Sequence, residues 1–159
     1  MMPKDSLEKM MREAYRAGKA DIERGEESMP FVRFITADGK RIGVEIPQYG
    51  DPALKATIRM TLRKAMREAG AVEYVISFEA WISKREMGEK IDVMPSEDPL
   101  HTEALSLMGG DKHGLVMAAL GEIKNVGGGK RVVMRMSGPK DSTLIEGPLA
   151  SLLYDKDAN

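Results

Sequence analysis

The residues with the most evident chemical use are cations. Lys55, Arg59, Arg63 and Arg67 recur every four residues, with Lys64 beside them and Glu68 as the one acid in that stretch. Spacing of four keeps side chains on one side of a helix, here flanking the apolar stripe or opposite it. Like charges held so close repel one another. A stripe of this kind suits phosphates, nucleotides or an acidic protein surface. It also suits a solvated helix face whose counter-charges come from a neighbouring loop. Glu79 and Trp81 alternate with Glu73 on one face of an expected strand. Trp beside an acid fits a binding cleft or a subunit contact, where Trp is enriched; the alternative is a second layer that simply covers Trp81. Lys55, Arg59, Arg63, Arg67, Trp81 and Glu79 are therefore the expected ligand-binding residues.

Other constellations are weaker. His101 and His113 are the two histidines, with Glu97, Asp98, Glu103 and Asp111 nearby. Ring nitrogens and carboxylates together hold metals, but neither histidine sits in a His-Glu-x-x-His spacing. Gly127-Gly128-Gly129-Lys130 has the look of a phosphate loop. A Walker loop, however, needs its first glycine where Lys124 stands and Ser or Thr where Arg131 stands. Its flanks read as strands, so no helix N-terminus follows to hold an anion. No Gly-x-Ser-x-Gly occurs, and spacing singles out no carboxylate pair among the 25 acids. The residues thus nominate no catalytic group, no cofactor and no metal.

Composition narrows the classes further. Apolar residues make up 42% and charged residues 31% of 159, a profile for one globular domain. The formal net charge of -1 argues against nucleic acid as the partner, because phosphate neutralisation requires a basic excess. With no cysteine, disulfides, thiolate metal sites and cysteine nucleophiles are excluded. The N-terminal stretch is too charged for a signal peptide, and no run approaches ~18 apolar residues. The expected location is cytoplasmic, without membrane contact. Methionine is frequent, at 13 residues. It suits either a plastic core or an adaptable contact surface.

The elements that must position these residues follow from periodicity. Leu7, Met10, Met11, Ala14, Tyr15 and Ile22 form a helical stripe, with Asp5 and Glu8 as a capping box and Gly25 as the stop. Lys9, Arg12, Glu13 and Arg16 fall off that stripe. Residues 31–35 and 42–46 read as a hairpin around Asp38-Gly39. A two-residue turn there pairs Ile35 with Ile42, Arg33 with Val44 and Phe31 with Ile46, and sends that face inward. Asp51 and Pro52 open a second helix, with Leu54, Ile58, Leu62, Ala65, Met66 and Ala69 inward and Gly70 at its end. Residues 72–83 make the longest apolar alternation, hence a central strand whose core face is Val72, Tyr74, Ile76, Phe78, Ala80 and Ile82. The stretch 84–99 holds Pro95 and Pro99 and reads as a long connection. Strands are expected at 103–108, 115–123 and 131–136, with turns at Gly109-Gly110-Asp111 and Gly127-Gly128-Gly129. The expected fold is α+β: one antiparallel sheet of about six strands, in the order α-β-β-α-β-β-β-β, with both helices on one face. Residues 1–159 form a single domain, with 1–4 and 138–159 peripheral; Leu149, Leu152, Leu153 and Tyr154 suit a docked helical turn.

Phe78-Glu79-Ala80-Trp81, Pro95-Ser96-Glu97-Asp98-Pro99 and Glu103-Ala104-Leu105 together resemble a pattern in a family of small bacterial and phage proteins with no assigned activity. The resemblance spans residues 72–120. Leu100 and His101 stand where that family often has a basic residue. It implies a phage or mobile-element origin and transfers no catalytic residue. The expected function is non-catalytic binding of an anionic small molecule, such as a nucleotide or phosphate, or of an acidic protein. An oligomeric assembly protein, built on Met, Trp81 and free sheet edges, is the alternative. A metal-dependent enzyme using His101 or His113 is the third.

Overall fold

The computed structural model describes residues 3–26, 30–46, 52–83 and 101–141, with the backbone alone at 3–4, 52–56, 80–83, 101–102 and 140–141. The elements are α1 (Pro3–Glu23), β1 (Phe31–Thr36), β2 (Arg41–Glu45), α2 (Pro52–Glu68), β3 (Ala71–Ser83), β4 (His101–Asp111), β5 (Val116–Asn125), β6 (Arg131–Val133) and β7 (Ser137–Asp141). All strands join one antiparallel sheet in the order β2-β1-β3-β4-β5-β6, with β7 also pairing β5. The α+β class and the element order are as the periodicity requires. β3 lies inside the sheet, as its long alternation demands. The connection at 84–99 and the 149–154 piece lie outside the described residues.

The helices do not share a face. Leu7, Met10, Met11, Ala14, Tyr15 and Ile22 of α1 pack on Val75, Leu105, Leu107, Met117 and Ala119. Leu62 and Met66 of α2, with Ile58 beside them, pack on Val32, Phe34, Tyr74 and Ile76. Tyr74 and Ile76 point to the opposite side of the sheet from Val75, because successive side chains alternate. The expectation of one covered face failed because β3 is apolar on both sides: Tyr74, Val75 and Ile76 are all fully buried. Each large side chain so buried contributes roughly 1.5–3 kcal/mol, so neither face of β3 can be left to water. In α2, Ala65 and Ala69 are exposed rather than inward.

Local signals explain the ends. α1 begins two residues before its expected cap, leaving Asp5 in the first turn, where the helix dipole favours an acid. It stops at Gly25 (φ 86°), whose N–H donates to Ile22 O while Glu26 N–H donates to Asp21 O, a Schellman closure. Gly70 (φ 74°) turns α2 directly into β3.

The β1–β2 hairpin slips by one residue from the expected register. Ile35 pairs Arg41, Phe34 pairs Ile42, Arg33 pairs Gly43 and Val32 pairs Val44. The turn has three residues, not two. Thr36 N–H donates to Lys40 O at 2.9 Å, and Gly39 N–H donates back to Thr36 O at 2.9 Å. Thr36 Oγ1 accepts from Lys40 N–H at 2.9 Å and donates to the Asp38 carboxylate. Gly39 takes the left-handed conformation that closes a turn of this length. Val32, Phe34 and Thr36 are therefore the buried set, while Phe31, Arg33 and Ile35 lie half-buried on the α1 side.

Gly109 and Gly110 are strand, not turn. A Cβ on Gly109 would lie 3.0 Å from Leu7 Cδ1 and 3.0 Å from the Tyr74 carbonyl oxygen. One on Gly110 would lie 2.9 Å from the Tyr74 ring. The pair lets α1 and Tyr74 approach β4 from opposite sides; the turn itself is at 112–114. The expected 131–136 strand ends at Val133, and β7 carries the edge onward, so part of the region expected to be peripheral lies in the sheet. α1 fastens β6: Glu23 Oε2 accepts Val133 N–H at 3.0 Å, Lys19 Nζ donates to Val133 O at 3.1 Å, and Tyr15 donates to Met134 O. These bonds occupy backbone groups that an edge strand would otherwise expose.

Gly109→Ala is expected to destabilise the fold by about 1–3 kcal/mol, since a backbone carbonyl bounds the added methyl. Urea denaturation measures it; an unchanged midpoint would contradict the tight α1–β4 contact.

Candidate functional site

The sequence-nominated residues do not converge. Arg59 and Arg63 of α2 are half-buried and Lys64 and Arg67 exposed, so the cations flank the Leu62–Met66 stripe. Arg63 is already engaged within the molecule. The side chains of Lys55 and Trp81 lie outside the described residues, though Trp81 sits opposite Glu103 in the β3–β4 register. Glu79 lies on the other sheet face from α2, as its odd position in β3 requires.

There Glu79 is committed to an internal ion cluster. Arg131 Nη1 is 2.7 Å from Glu79 Oε1 and 3.2 Å from Glu103 Oε2, with all three side chains largely covered. The hydrogen bond that Arg131 donates to Glu79 and the two carboxylate charges hold the Arg131 pKa above its ordinary value. The cluster ties β6 across to β3 and β4, and it engages Glu79 in an internal ion pair.

The two histidine positions bracket β4. His101 opens the strand and exposed His113 lies in the turn after it, roughly 35 Å apart at ~3.3 Å per residue. They cannot share one metal ion within a chain. Among the described residues no group of three metal-ligating side chains occurs. Gly127, Gly128 and Gly129 all take positive φ in the exposed β5–β6 loop, a hairpin connection with no helix after it.

A pair of acids, half-buried Glu73 and buried Asp111, lies near the first turn of α1, whose Ser6 bonds Glu73. Glu73 and Asp111 are opposite one another on β3 and β4. Asp111 accepts the backbone N–H groups of His113 and Leu115 at 2.8 and 2.9 Å, so it organises the turn. Glu73 Oε2 is buried with no hydrogen-bond partner among the described residues. Burial raises the Glu73 pKa, the Asp111 charge adds to the rise, and a hydrogen bond from Ser6 opposes both.

The arrangement best suited to hold a ligand was not anticipated. An open pocket of about 240 Å³ lies between α1 and the β1–β2 hairpin, walled by Met10, Glu13, Phe31, Arg33, Arg41 and Gly43. The slipped register builds it by setting Arg33 opposite Gly43. A Cβ on Gly43 would lie 2.7 Å from the Phe31 ring, so only glycine lets that ring lie across β2. The Arg33 guanidinium stacks on the same ring, 4.4 Å from its centroid. Its Nη1 donates to Ser77 Oγ at 3.3 Å. Arg41 is paired with Glu13 at 2.7 Å, but among the described residues Arg33 has no ion pair. Burial pulls the Arg33 pKa down, while the Asp21 and Glu13 charges pull it back up. A desolvated guanidinium with unused donors is poised for an anion. The one sequence signal was an arginine two residues from Phe31 in an apolar strand; the two-residue turn hid its partner.

Two outcomes check these assignments. Arg131→Met is expected to cost about 1–3 kcal/mol in urea denaturation, because two covered carboxylates lose their cation; no loss would return Glu79 to the binding candidates. For Glu73, a raised folded-state pKa means no penalty in acid, where the carboxyl is protonated folded or unfolded, and a penalty that grows as pH rises through the folded pKa. Glu73→Gln is therefore expected to gain stability over the parent as pH rises above the ordinary carboxylate range of about 4, the gain levelling off once the folded-state carboxyl has ionised. A difference independent of pH would contradict the buried-carboxyl assignment.

No protein-family model matches the chain, and neither the curated proteins nor the solved structures contain a match.

Proposed function

We propose that this chain is a non-catalytic binding protein for an anionic ligand, held in the pocket between α1 and the β1–β2 hairpin. One observation carries the proposal: Arg33 is half-buried and stacked on Phe31, with no carboxylate bonded to it among the described residues. Among the described residues the other partly covered cations on that side of the sheet, Arg131 and Lys19, each have an acid within 3.2 Å, and exposed Arg41 has one at 2.7 Å. A cation taken out of water without a partner costs stability unless a ligand supplies the charge. Among the described residues the one acid in the pocket wall is Glu13, which Arg41 occupies, and the Ser77 hydroxyl is spent on Arg33 with no base bonded to it. That is why the reading is binding rather than catalysis.

A second reading keeps the acidic protein surface on α2. Arg59, Lys64 and Arg67 make no ion pair among the described residues, and Met60 between them is 69% exposed. Cations around an exposed methionine suit an acidic amphipathic partner.

Thermal-shift titration of the whole chain with a panel of small anions tests the first reading. Saturation at about 100 times Kd is expected to add about 2.7 kcal/mol of stability. Arg33→Met is expected to abolish the shift while leaving the unliganded protein at least as stable. If no anion raises the melting temperature, the pocket is not an anion site. Charge reversal at Arg59 and Arg67 is expected to leave the shift intact, which separates the two readings.

A further inference from the structure

Resting on the anion-binding reading above, we infer that the pocket takes a small monocarboxylate carried on a flat apolar body, and not a nucleotide or a phosphate.

Size sets the first limit. At about 240 Å³ the pocket is smaller than the ~300–1,000 Å³ typical of drug-sized ligands. Because the pocket is open, a nucleotide would seat one of its groups there and leave the rest of its base, sugar and phosphate in solvent.

Charge sets the second limit. Arg33 and Arg41 are the cations in the wall, but Arg41 is neutralised by Glu13 at 2.7 Å. Asp21 and Glu13 both act on Arg33 from the α1 side, without bonding it. The pocket therefore offers about one uncompensated positive charge. A monoanion matches it. A dianionic phosphate would bring a second negative charge for which the wall holds no uncompensated cation, since Arg41 is already paired with Glu13.

Shape sets the third. Phe31 covers one face of the guanidinium, so the donors that remain point outward along its edge. One of them is spent on Ser77. A planar edge of paired N–H groups matches a carboxylate in bidentate geometry, a match that lysine cannot provide. Beside the guanidinium the wall is apolar: the Phe31 ring stacked on it, Ile35 and buried Met10. Methionine adapts to a flat surface, and aromatic rings pack against one another in offset or edge-on geometry. The ligand body that satisfies these walls is apolar and flat, with its carboxylate at one end.

Isothermal titration of the whole chain against benzoate, acetate, inorganic phosphate and a nucleoside monophosphate tests the assignment. Benzoate is expected to bind at least tenfold tighter than acetate or either phosphate. Arg33→Met is expected to weaken benzoate at least tenfold. Arg33→Lys should recover only part of it, because charge without the fork is insufficient. Phe31→Leu should weaken benzoate more than acetate, and thermal melting of each variant verifies that the fold is intact. Should phosphate or the nucleotide bind best while still requiring Arg33, the carboxylate assignment falls and the anion site stands. Should benzoate bind equally well to Arg33→Met, the pocket is the wrong location. Should no anion bind, both the assignment and the reading beneath it fall.

Discussion

The architecture depends on one strand being apolar on both sides. Tyr74, Val75 and Ile76 of β3 are fully buried, with Ser77 next to them nearly so. A sheet with such a strand in its middle cannot leave either face wet, because each exposed large side chain forfeits roughly 1.5–3 kcal/mol. Two amphipathic helices are the covers at hand, so they must divide. α1 takes the face of Val75 and α2 the face of Tyr74 and Ile76. Gly109 and Gly110 serve that division, each omitting a side chain where Leu7 or Tyr74 presses onto β4.

Division of the helices also sorts the charge. On the α1 side most of the charged groups satisfy one another, the Glu73 carboxylate being only part-bonded: Lys19 and Glu23 bracket Val133, Glu13 pairs Arg41, and Arg131 bridges Glu79 and Glu103. Glu23 is held below the usual carboxylate range first by the Lys19 hydrogen bond and then by Val133 N–H. Against that background the isolation of Arg33 carries meaning. Met10 and Glu13 are the α1 residues that wall the gap between helix and hairpin, and that gap is the pocket. The α2 face concentrates cations instead, with Arg59, Lys64 and Arg67 outside internal pairing among the described residues.

The hairpin shows how a small local choice reaches the site. With Thr36 bonded to both Lys40 and Asp38, the chain turns in three residues and Arg33 meets Gly43. With a two-residue turn, Arg33 would have met Val44, and no glycine would admit the Phe31 ring. The two turns differ by one residue in length, yet they assign opposite neighbours to every side chain on the ribbon.

The sequence by itself determined what depends on near neighbours. Periodicity of 3.6 placed both helices, Gly25 and Gly70 stopped them, alternation placed β3 inside the sheet, and short links made the strands antiparallel. It also singled out the cations of α2. Tertiary structure alone decided which sheet face each helix covers, because an amphipathic stripe specifies that it must be buried and not against what. It decided that Gly109-Gly110 would be strand, since the atoms that exclude a side chain there belong to Leu7 and Tyr74, distant in sequence. It gave Glu79 an internal counter-ion by bringing Arg131 to it from 52 residues away. And it made a site of Phe31, Arg33 and Gly43, whose meaning lies in a cross-strand register that one hydroxyl and one carboxylate in a turn settle.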